Sequence, residues 1–266
     1  MKKGIEAFDL TEKVALVTGA VGHLGVNIVL ALAEAGAHVL VNSRSVDRSA
    51  RLVKLLLDGG YSAESAVFDV TDQNAVNNYF SERQDFPLHV LINNAYSGNA
   101  GNIESSTSSD YLQSYNVVML AAHNLLNASL PSMRMAIQHC GDASVINLAS
   151  MYGMVSPDQR IYTTRKDINP PFYGAAKAAL IQWTRYAACE FGKEGLRINS
   201  ISPGPFPSDN VQDRDQEFIV ELSRKVPLGR IGSPNEIKGP ILFLASSAST
   251  YVNGTNLVVD GGWTCW

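Results

Sequence analysis

Hydrophobic residues are clustered in two kinds of segment that alternate along the chain. Short runs rich in β-branched residues have the composition of strands buried on both faces. Between them lie longer segments rich in alanine and leucine, whose apolar residues have helical spacing, as in residues 26–35, 112–130 and 173–191. The short runs are seven in number: residues 14–17, 38–41, 66–68, 90–92, 144–147, 197–201 and 256–259.

Strands that alternate with helices at this spacing indicate βαβ units, which are joined by right-handed crossovers. The pattern predicts an α/β Rossmann fold, a doubly wound parallel sheet of seven strands with helices on both faces. Neither a repeat nor a low-complexity linker divides the sequence. We therefore expect residues 1–266 to form a single dinucleotide-binding domain.

A glycine-rich turn follows the first predicted strand and leads directly into a helix. It contains Gly19, Gly22 and Gly25, with His23 and Leu24 between the last two. Glycines at such a turn allow a tight bend, a close approach of the backbone to a pyrophosphate and close packing of the helix on the strand. The free N–H groups and the dipole of the helix N-terminus favour negative charge. This turn predicts dinucleotide binding.

The second predicted strand ends without the acidic residue that often binds the ribose 2′-hydroxyl of NAD. Ser43 and Arg44 stand there instead. A guanidinium group can pair with a 2′-phosphate. We therefore expect NADP(H) to be favoured over NAD(H), although a solvated arginine at a strand end remains the alternative.

Composition and charge exclude several other classes of protein. The net charge of −4 offers no general attraction to nucleic acid or anionic membranes. Three widely spaced cysteines and five scattered histidines favour neither a disulfide framework nor a metal site. No signal peptide or apolar run of membrane-spanning length is recognisable. A cytoplasmic protein that acts on a small-molecule substrate is the expectation.

Further short motifs follow the later predicted strands in a consistent order. With the glycine turn they resemble the short-chain dehydrogenase/reductase family, and the resemblance covers nearly the whole chain. The motifs are Asp69-Val70, Asn93-Asn94-Ala95, Asn116 in a helix, Ser150, the pair Tyr173 and Lys177 of a YxxxK signature, Pro203-Gly204 and the closing Val259-Asp260-Gly261-Gly262.

The resemblance implies a role for each motif. Catalysis would depend on Asn116, Ser150, Tyr173 and Lys177, with Tyr173 as general acid/base. A lysine one helical turn from a tyrosine lowers the pKa of the phenol from its ordinary value of about 10. The residues expected to bind the cofactor are Gly19, Gly22, His23, Leu24, Gly25, Ser43, Arg44, Asp69, Val70, Asn93, Asn94, Ala95, Tyr173, Lys177, Pro203 and Gly204.

Two features depart from the compact type of this family. His23 stands where compact members usually have glycine, so the turn is closer to that of the extended type. The 23 positions from Ser150 to Tyr173 also exceed the usual separation. The chain nevertheless lacks room for the separate substrate domain of extended members. The mixture resembles a subgroup associated with bacterial surface-polysaccharide and flagellin-sugar pathways.

Two segments are expected to border the substrate, residues 150–172 and residues 205–226, the latter as a lid. The first contains Tyr152, Arg160 and Arg165, and arginines suit a phosphate or carboxylate. The hypothesis is that Ser150, Tyr152, Arg160 and Arg165 bind an anionic carbohydrate such as a sugar phosphate, a nucleotide sugar or a sugar acid. A solvated loop with local ion pairs is the alternative.

The sequence as a whole predicts an oxidoreductase that transfers a hydride between NAD(P)(H) and a carbonyl or secondary alcohol. Two alternatives stay open: a nucleotide-sugar epimerase or dehydratase without net redox change, and a non-catalytic regulator or scaffold that binds a dinucleotide. Relatives commonly form homotetramers, so the resemblance implies a homo-oligomer.

Overall fold

One parallel sheet runs through the structure, a computed structural model that describes residues 4–83 and 85–266. Its strands are β1 (Val14–Val17), β2 (His38–Ser43), β3 (Ala63–Val67), β4 (Val90–Asn93), β5 (Ala143–Leu148), β6 (Leu196–Pro203) and β7 (Asn256–Val259). They lie in the order β3-β2-β1-β4-β5-β6-β7, and every pairing is parallel. The predicted Rossmann fold is confirmed.

Helices cover both faces of this sheet. They are α1 (His23–Glu34), α2 (Val46–Asp58), α3 (Gln73–Ser81), α4 (Ser108–Tyr115), α5 (Ala121–Cys140), α6 (Pro171–Phe191), α7 (Asp209–Arg214), α8 (Gln216–Lys225) and α9 (Lys238–Ala245). Apolar side chains of α1, α2 and α9 pack in one core, and those of α3, α5 and α6 pack in another. The buried strands supply residues to both cores, which explains their continuous hydrophobic runs.

The structure differs from the predicted elements in two places. The third strand begins earlier than residues 66–68 suggested, because Ala63 pairs with Val39 at the edge of the sheet. The predicted helix 112–130 is three elements: α4, a π-helical turn over Asn116–Leu120, and α5. Helix α5 continues through Pro131, and Met133 in the following turn is fully buried.

A third apolar cluster lies outside the two main cores. Met151 and Ile161, from the long segment before α6, pack with Leu222, Val226 and Trp263. This cluster joins residues 150–172 to α8 and to the end of the chain. Among the residues that the structure describes, no helix is both long and apolar enough to cross a membrane.

Candidate active site

A cavity of about 720 Å³ opens at the carboxyl ends of the strands, where β1 lies between β2 and β4. The chain leaves these neighbouring strands toward opposite faces of the sheet, so the connecting loops diverge and leave a crevice between them. The cavity extends from the ends of β2 and β3 across the N-terminus of α1 to the end of β5 and the start of α6.

The glycine turn forms the floor of the cavity. Gly19 has a φ of +60°, and a Cβ there would lie 2.8 Å from Cα of Ala95. A Cβ at Gly25 would lie 2.8 Å from the carbonyl oxygen of Ala20, so only glycine allows α1 to start this close to β1. Gly22 precedes α1 and caps it without a side chain, which leaves N–H groups of the first turn free for an anion. His23 and Leu24 line the cavity beside it.

The ends of β2 and β3 bring polar and charged groups to one end of the cavity. Arg44 Nη1 lies 3.8 Å from Asp69 Oδ2, and both residues line the cavity with Ser43 and Val70. Burial raises the pKa of Asp69, but hydrogen bonds from Thr71 and the charge of Arg44 outweigh it and hold the pKa below its ordinary value. Asp69 therefore carries a negative charge at neutral pH.

The Asn93-Asn94-Ala95 motif serves two different purposes. Asn94 Nδ2 donates to the carbonyl oxygens of Thr18 and Gly19 at 3.0 and 3.1 Å, which fixes the glycine turn. Asn94 and Ala95 line the cavity. Asn93 does not: its amide is buried and donates to Asn147 Oδ1 at 2.8 Å. Successive strand residues face opposite sides of the sheet, so Asn93 and Asn94 differ in their surroundings, and a contact of Asn93 with the cofactor stays a prediction.

The four expected catalytic residues, Asn116, Ser150, Tyr173 and Lys177, line the same end of the cavity. Lys177 is only 4% exposed, and its Nζ donates to the carbonyl oxygen of Leu148 and lies 5.6 Å from the centroid of the Tyr173 ring. Ser150 is 5% exposed and begins a 3₁₀ turn, where its Oγ accepts from the amide of Tyr152.

The local backbone explains how these side chains meet. Tyr173 and Lys177 lie one turn apart on the same face of α6. A Cβ at Gly153 would lie 2.9 Å from the carbonyl carbon of Lys177, so a glycine there lets the turn after Ser150 pack on α6. Asn116 is the first residue of the π-helical turn, a type of distortion frequent at functional sites.

Burial changes the proton affinities of two of these residues. It raises the pKa of Tyr173, and hydrogen bonding with Ser150 opposes the rise. Burial also lowers the pKa of Lys177 to about 7. The site thus holds a weakly acidic phenol beside an amine that changes charge near neutral pH, and these are the properties of groups that exchange protons.

Pro203 and Gly204 bring the end of β6 to the cavity wall. A Cβ at Gly204 would lie 2.5 Å from Cα of Asp260, so glycine is needed where β6 and the end of β7 come together. These two residues are where the sequence motif placed them, beside the expected cofactor site.

The expected substrate residues other than Ser150 lie outside the cavity. Arg160 is exposed and pairs with Asp158, and Arg165 Nη2 lies 3.4 Å from Glu104. The hydroxyl of Tyr152 lies 3.2 Å from that of Tyr162, and Tyr152 is not among the residues that line the cavity. The two arginines thus match the alternative of local ion pairs, and their contact with substrate stays a prediction.

Several residues that line the cavity were not among the predicted site residues. Arg48 lies in the first turn of α2, four positions after Arg44, and its Nη2 donates to the carbonyl oxygen of Val21 at 2.8 Å. Gln113 lies one turn before Asn116 on the same side of the helix, so its helical spacing was a usable signal. Tyr96 and Phe206 also line the cavity, and no sequence pattern indicated Phe206.

Comparison with known proteins agrees with this geometry. A family model described as enoyl-(acyl carrier protein) reductase matches residues 19–264. The chain is 33% identical to gluconate 5-dehydrogenase of Gluconobacter oxydans, with 97% of each chain covered. It is 31% identical to galactitol 2-dehydrogenase of Rhizobium johnstonii, with 98% of each covered.

A solved structure of a dehydrogenase is similar to this chain over its full length. The crystal structure of a gluconate 5-dehydrogenase from Burkholderia cenocepacia, in complex with NADP and tartrate, superimposes with a TM-score of 0.88 at 28% identity. It covers 99% of this chain and 100% of that one. These similarities do not support the narrower resemblance to the surface-polysaccharide and flagellin-sugar subgroup. The chain belongs to the short-chain dehydrogenase/reductase family and is an NAD(P)-dependent oxidoreductase that acts on CH–OH groups.

Proposed function

We propose that the protein is an NADP(H)-preferring dehydrogenase that interconverts a secondary alcohol and a ketone of a sugar, a sugar acid or a polyol. The observation that carries the proposal is the convergence of Ser150, Tyr173 and Lys177 at one end of a cavity whose floor is a glycine turn. Relatives named for gluconate and galactitol support a polyhydroxylated substrate.

The described residues fit a dinucleotide along the whole cavity. The N-terminus of α1 would hold the pyrophosphate, Asp69 and Val70 the adenine, and Asn94, Tyr173 and Lys177 the nicotinamide half. When bound, the nicotinamide accepts or supplies the hydride. The chain itself must then manage the proton and the charge on the substrate oxygen.

Tyr173 and Ser150 are proposed to act on that oxygen. In the reductive direction the phenol of Tyr173 gives its proton to the oxygen, and the hydroxyl of Ser150 donates a hydrogen bond as negative charge develops there. In the oxidative direction the phenolate takes the proton back. The raised pKa of Tyr173 keeps the phenol protonated at neutral pH, as the reductive direction requires.

Lys177 would stabilise the phenolate. When protonated, its ammonium group is near the Tyr173 ring and favours the ionised phenol. Asn116, at the start of the π-helical turn, would anchor a water that carries the proton onward from Lys177.

Residues 150–172 and 205–226 are proposed to cover the substrate, and Phe206 already reaches the cavity.

The preference for NADP(H) is supported by Arg44, directly after β2, and by Arg48, in the first turn of α2. Both arginines line the cavity, and β2 contains no acidic residue that could bind a 2′-hydroxyl. The related Burkholderia structure contains NADP. A 2′-phosphate between two guanidinium groups would gain charge-assisted hydrogen bonds that a 2′-hydroxyl cannot.

Turnover with Tyr173→Phe tests the proposed function. The absorbance of NADPH and NADH reports net hydride transfer across a panel of keto-sugars, keto-acids and simple ketones. We expect turnover in the wild type, a loss of about 10²–10⁴-fold in the variant, and binding of NADPH that is retained because the other cavity residues still hold the cofactor. A product without any change in cofactor absorbance would instead indicate a hydride-returning epimerase, and cofactor binding without any product would contradict the catalytic assignment.

A homo-oligomer is also proposed. Exposed apolar side chains lie together on α4 and on the π-helical turn after it, namely Tyr111, Leu112, Tyr115 and Leu120. A second copy of the chain would remove them from water. Sedimentation at micromolar concentration measures this, and a monomer would contradict it.

A further inference from the structure

Tyr96 lies directly against both side chains that are proposed to move the proton. It follows Ala95 at the end of β4 and lines the cavity. Its ring and that of Tyr173 are 4.8 Å apart between centroids, with an edge-to-face angle of 67°. Lys177 Nζ lies 5.7 Å from the Tyr96 ring and 5.6 Å from the Tyr173 ring. The amine thus faces two aromatic rings at nearly equal distances.

The surroundings of Tyr96 hold its ring in this position. A Cβ at Gly98 would lie 2.9 Å from Cζ of Tyr96, so the glycine leaves the room that the phenol occupies. The Tyr96 hydroxyl lies close enough to Ser114 of α4 for that side chain to influence its proton affinity. Ser114 Oγ donates to the carbonyl oxygen of Phe172 at 3.2 Å, directly before Tyr173. Ser114 thereby links the surroundings of Tyr96 to the first turn of α6.

This contact restricts Tyr173 physically. An edge-to-face aromatic pair has a preferred geometry and adds stabilisation beyond the area that it buries. A ring that faces an amine also favours its charged form. Because the partly exposed Tyr96 ring lies against Tyr173 and near Lys177, it reduces the access of water to both groups from that side and limits the rotation of the Tyr173 phenol.

We propose that Tyr96 is a positioning residue, whose ring holds the Tyr173 phenol in the orientation for proton transfer and closes the site beside Lys177. The inference rests on the proposed function, because it assigns the proton transfer to Tyr173. The ring carries this role through its contacts with Tyr173 and Lys177.

The protonation of Tyr96 is compatible with this role. Burial raises the pKa of Tyr96 to about 12, the neighbouring Tyr173 adds to the rise, and the hydrogen bond with Ser114 opposes it. The phenol of Tyr96 therefore stays neutral and does not compete as a base. The titratable groups that face Tyr173 are Tyr96 from the end of β4, Tyr152 from the segment after β5, and Lys177 from α6 itself.

The test compares Tyr96→Leu and Tyr96→Phe with the wild type. Leucine removes the ring, and we expect kcat to fall about tenfold with little change in the dissociation constant of NADPH. In the oxidative direction, the pH midpoint of kcat should move down by about half a unit or more, because water reaching Tyr173 eases its ionisation. Tyr96→Phe keeps the ring and should restore most of kcat and the wild-type midpoint.

Tyr186→Leu is the matched control. Tyr186 is also a tyrosine of the same region of the chain, on α6, but its side chain is exposed and it does not line the cavity. We expect its kcat and pH midpoint to match the wild type. Melting temperature and NADPH fluorescence titration show that each variant is folded, and Tyr96→Met replaces Tyr96→Leu if the latter does not fold.

The outcomes separate this inference from the proposed function. A wild-type kcat and pH midpoint in Tyr96→Leu would overturn the positioning role while leaving the proposed function intact. A loss in Tyr96→Phe as large as in Tyr96→Leu would overturn the role of the ring. An absence of hydride transfer in the wild type, with every carbonyl compound, would overturn both.

Discussion

Arg44 and Arg48 illustrate how two similar side chains contribute differently at the same end of the cavity. The side chain of Arg44 is largely exposed and is only loosely paired with Asp69. Arg48 is held by the carbonyl oxygen of Val21, next to the glycine turn. The Arg44 guanidinium can therefore move toward a 2′-phosphate without breaking a strong ion pair. The Arg48 guanidinium is already held in one orientation by its hydrogen bond to Val21.

Substitution of Arg44 tests the cofactor preference. In Arg44→Ala we expect the KM for NADPH to rise about tenfold or more, because a charge-assisted pair with the 2′-phosphate is lost. The KM for NADH should change by less than about twofold, since a 2′-hydroxyl gains little from the guanidinium. Initial rates with each cofactor measure both. The control is Arg51→Ala on α2, outside the cavity, and a parallel rise for NADH would contradict the assignment.

At the scale of residues, the spacing of a motif predicts which side chains lie close together when the motif is within one helix or strand. Tyr173 and Lys177 are four residues apart on one helix, so their proximity follows from the sequence. Asn93 and Tyr96 were harder to interpret. The direction of the Asn93 side chain depends on its pairing with Asn147 across the sheet, and the contact of Tyr96 with Tyr173 joins segments far apart in the chain.

At the scale of elements, α8 is tied to the long segment before α6 by one charged group. Asp158 accepts from Arg160 and from Lys225 of α8, the latter at 2.7 Å. These hydrogen bonds hold the pKa of Asp158 far below its ordinary range, with Arg160 contributing most. Nearby, the rings of Tyr162 and Phe218 lie 5.4 Å apart. Residues 150–172 and 205–226, the two segments proposed to cover the substrate, are therefore joined by direct contacts.

Asp158→Asn should loosen this coupling. We expect α8 to be cleaved about twofold to fivefold faster in limited proteolysis, and the KM of the carbonyl substrate to rise by a similar factor, because a partly exposed pair contributes modestly. Glu221→Gln is the control, since Glu221 pairs with Arg224 within α8. Equal cleavage of Asp158→Asn and wild type would show that the apolar cluster alone holds the segments together.

The π-helical turn could not be predicted at this scale. The hydrophobic spacing of residues 112–130 is compatible with one continuous helix, and a single inserted residue scarcely changes that pattern. The turn starts at Asn116, and Val117 and Val118 in it are buried in the core. Packing against α6 and the sheet therefore favours the distortion, and that packing is a tertiary property.

At the scale of the whole molecule, Lys177 couples the active site to stability. Burial lowers its pKa in the folded chain to about 7, whereas in the unfolded chain the value is ordinary, 10.5. Between these values the unfolded chain binds one more proton than the folded chain. Stability must therefore rise with pH in that window and gain nothing further from Lys177 above it.

The matching experiment is chemical denaturation of the cofactor-free protein at pH 7 and pH 9, with Lys177→Met for comparison. The free energy of unfolding of the wild type should gain about 2 kcal/mol relative to the variant between these values. Tyr173 does not interfere, since its raised pKa affects stability only above pH 10. Lys54→Met on the exposed face of α2 is the control. A pH-independent difference between wild type and Lys177→Met would contradict the burial of a neutral amine.

The sequence by itself determined the fold class, the glycine turn and the proximity of Tyr173 to Lys177, because each depends on local periodicity or on spacing within one element. The parallel strands were recognisable since both of their faces are buried. Only the tertiary structure decided which polar residues face the cavity. Arg160 and Arg165 are drawn to nearby acidic side chains, whereas Tyr96, Gln113 and Phe206 reach the cavity from separate segments. Such contacts are set by how the elements pack, and sequence spacing does not encode the distance between segments that are remote along the chain.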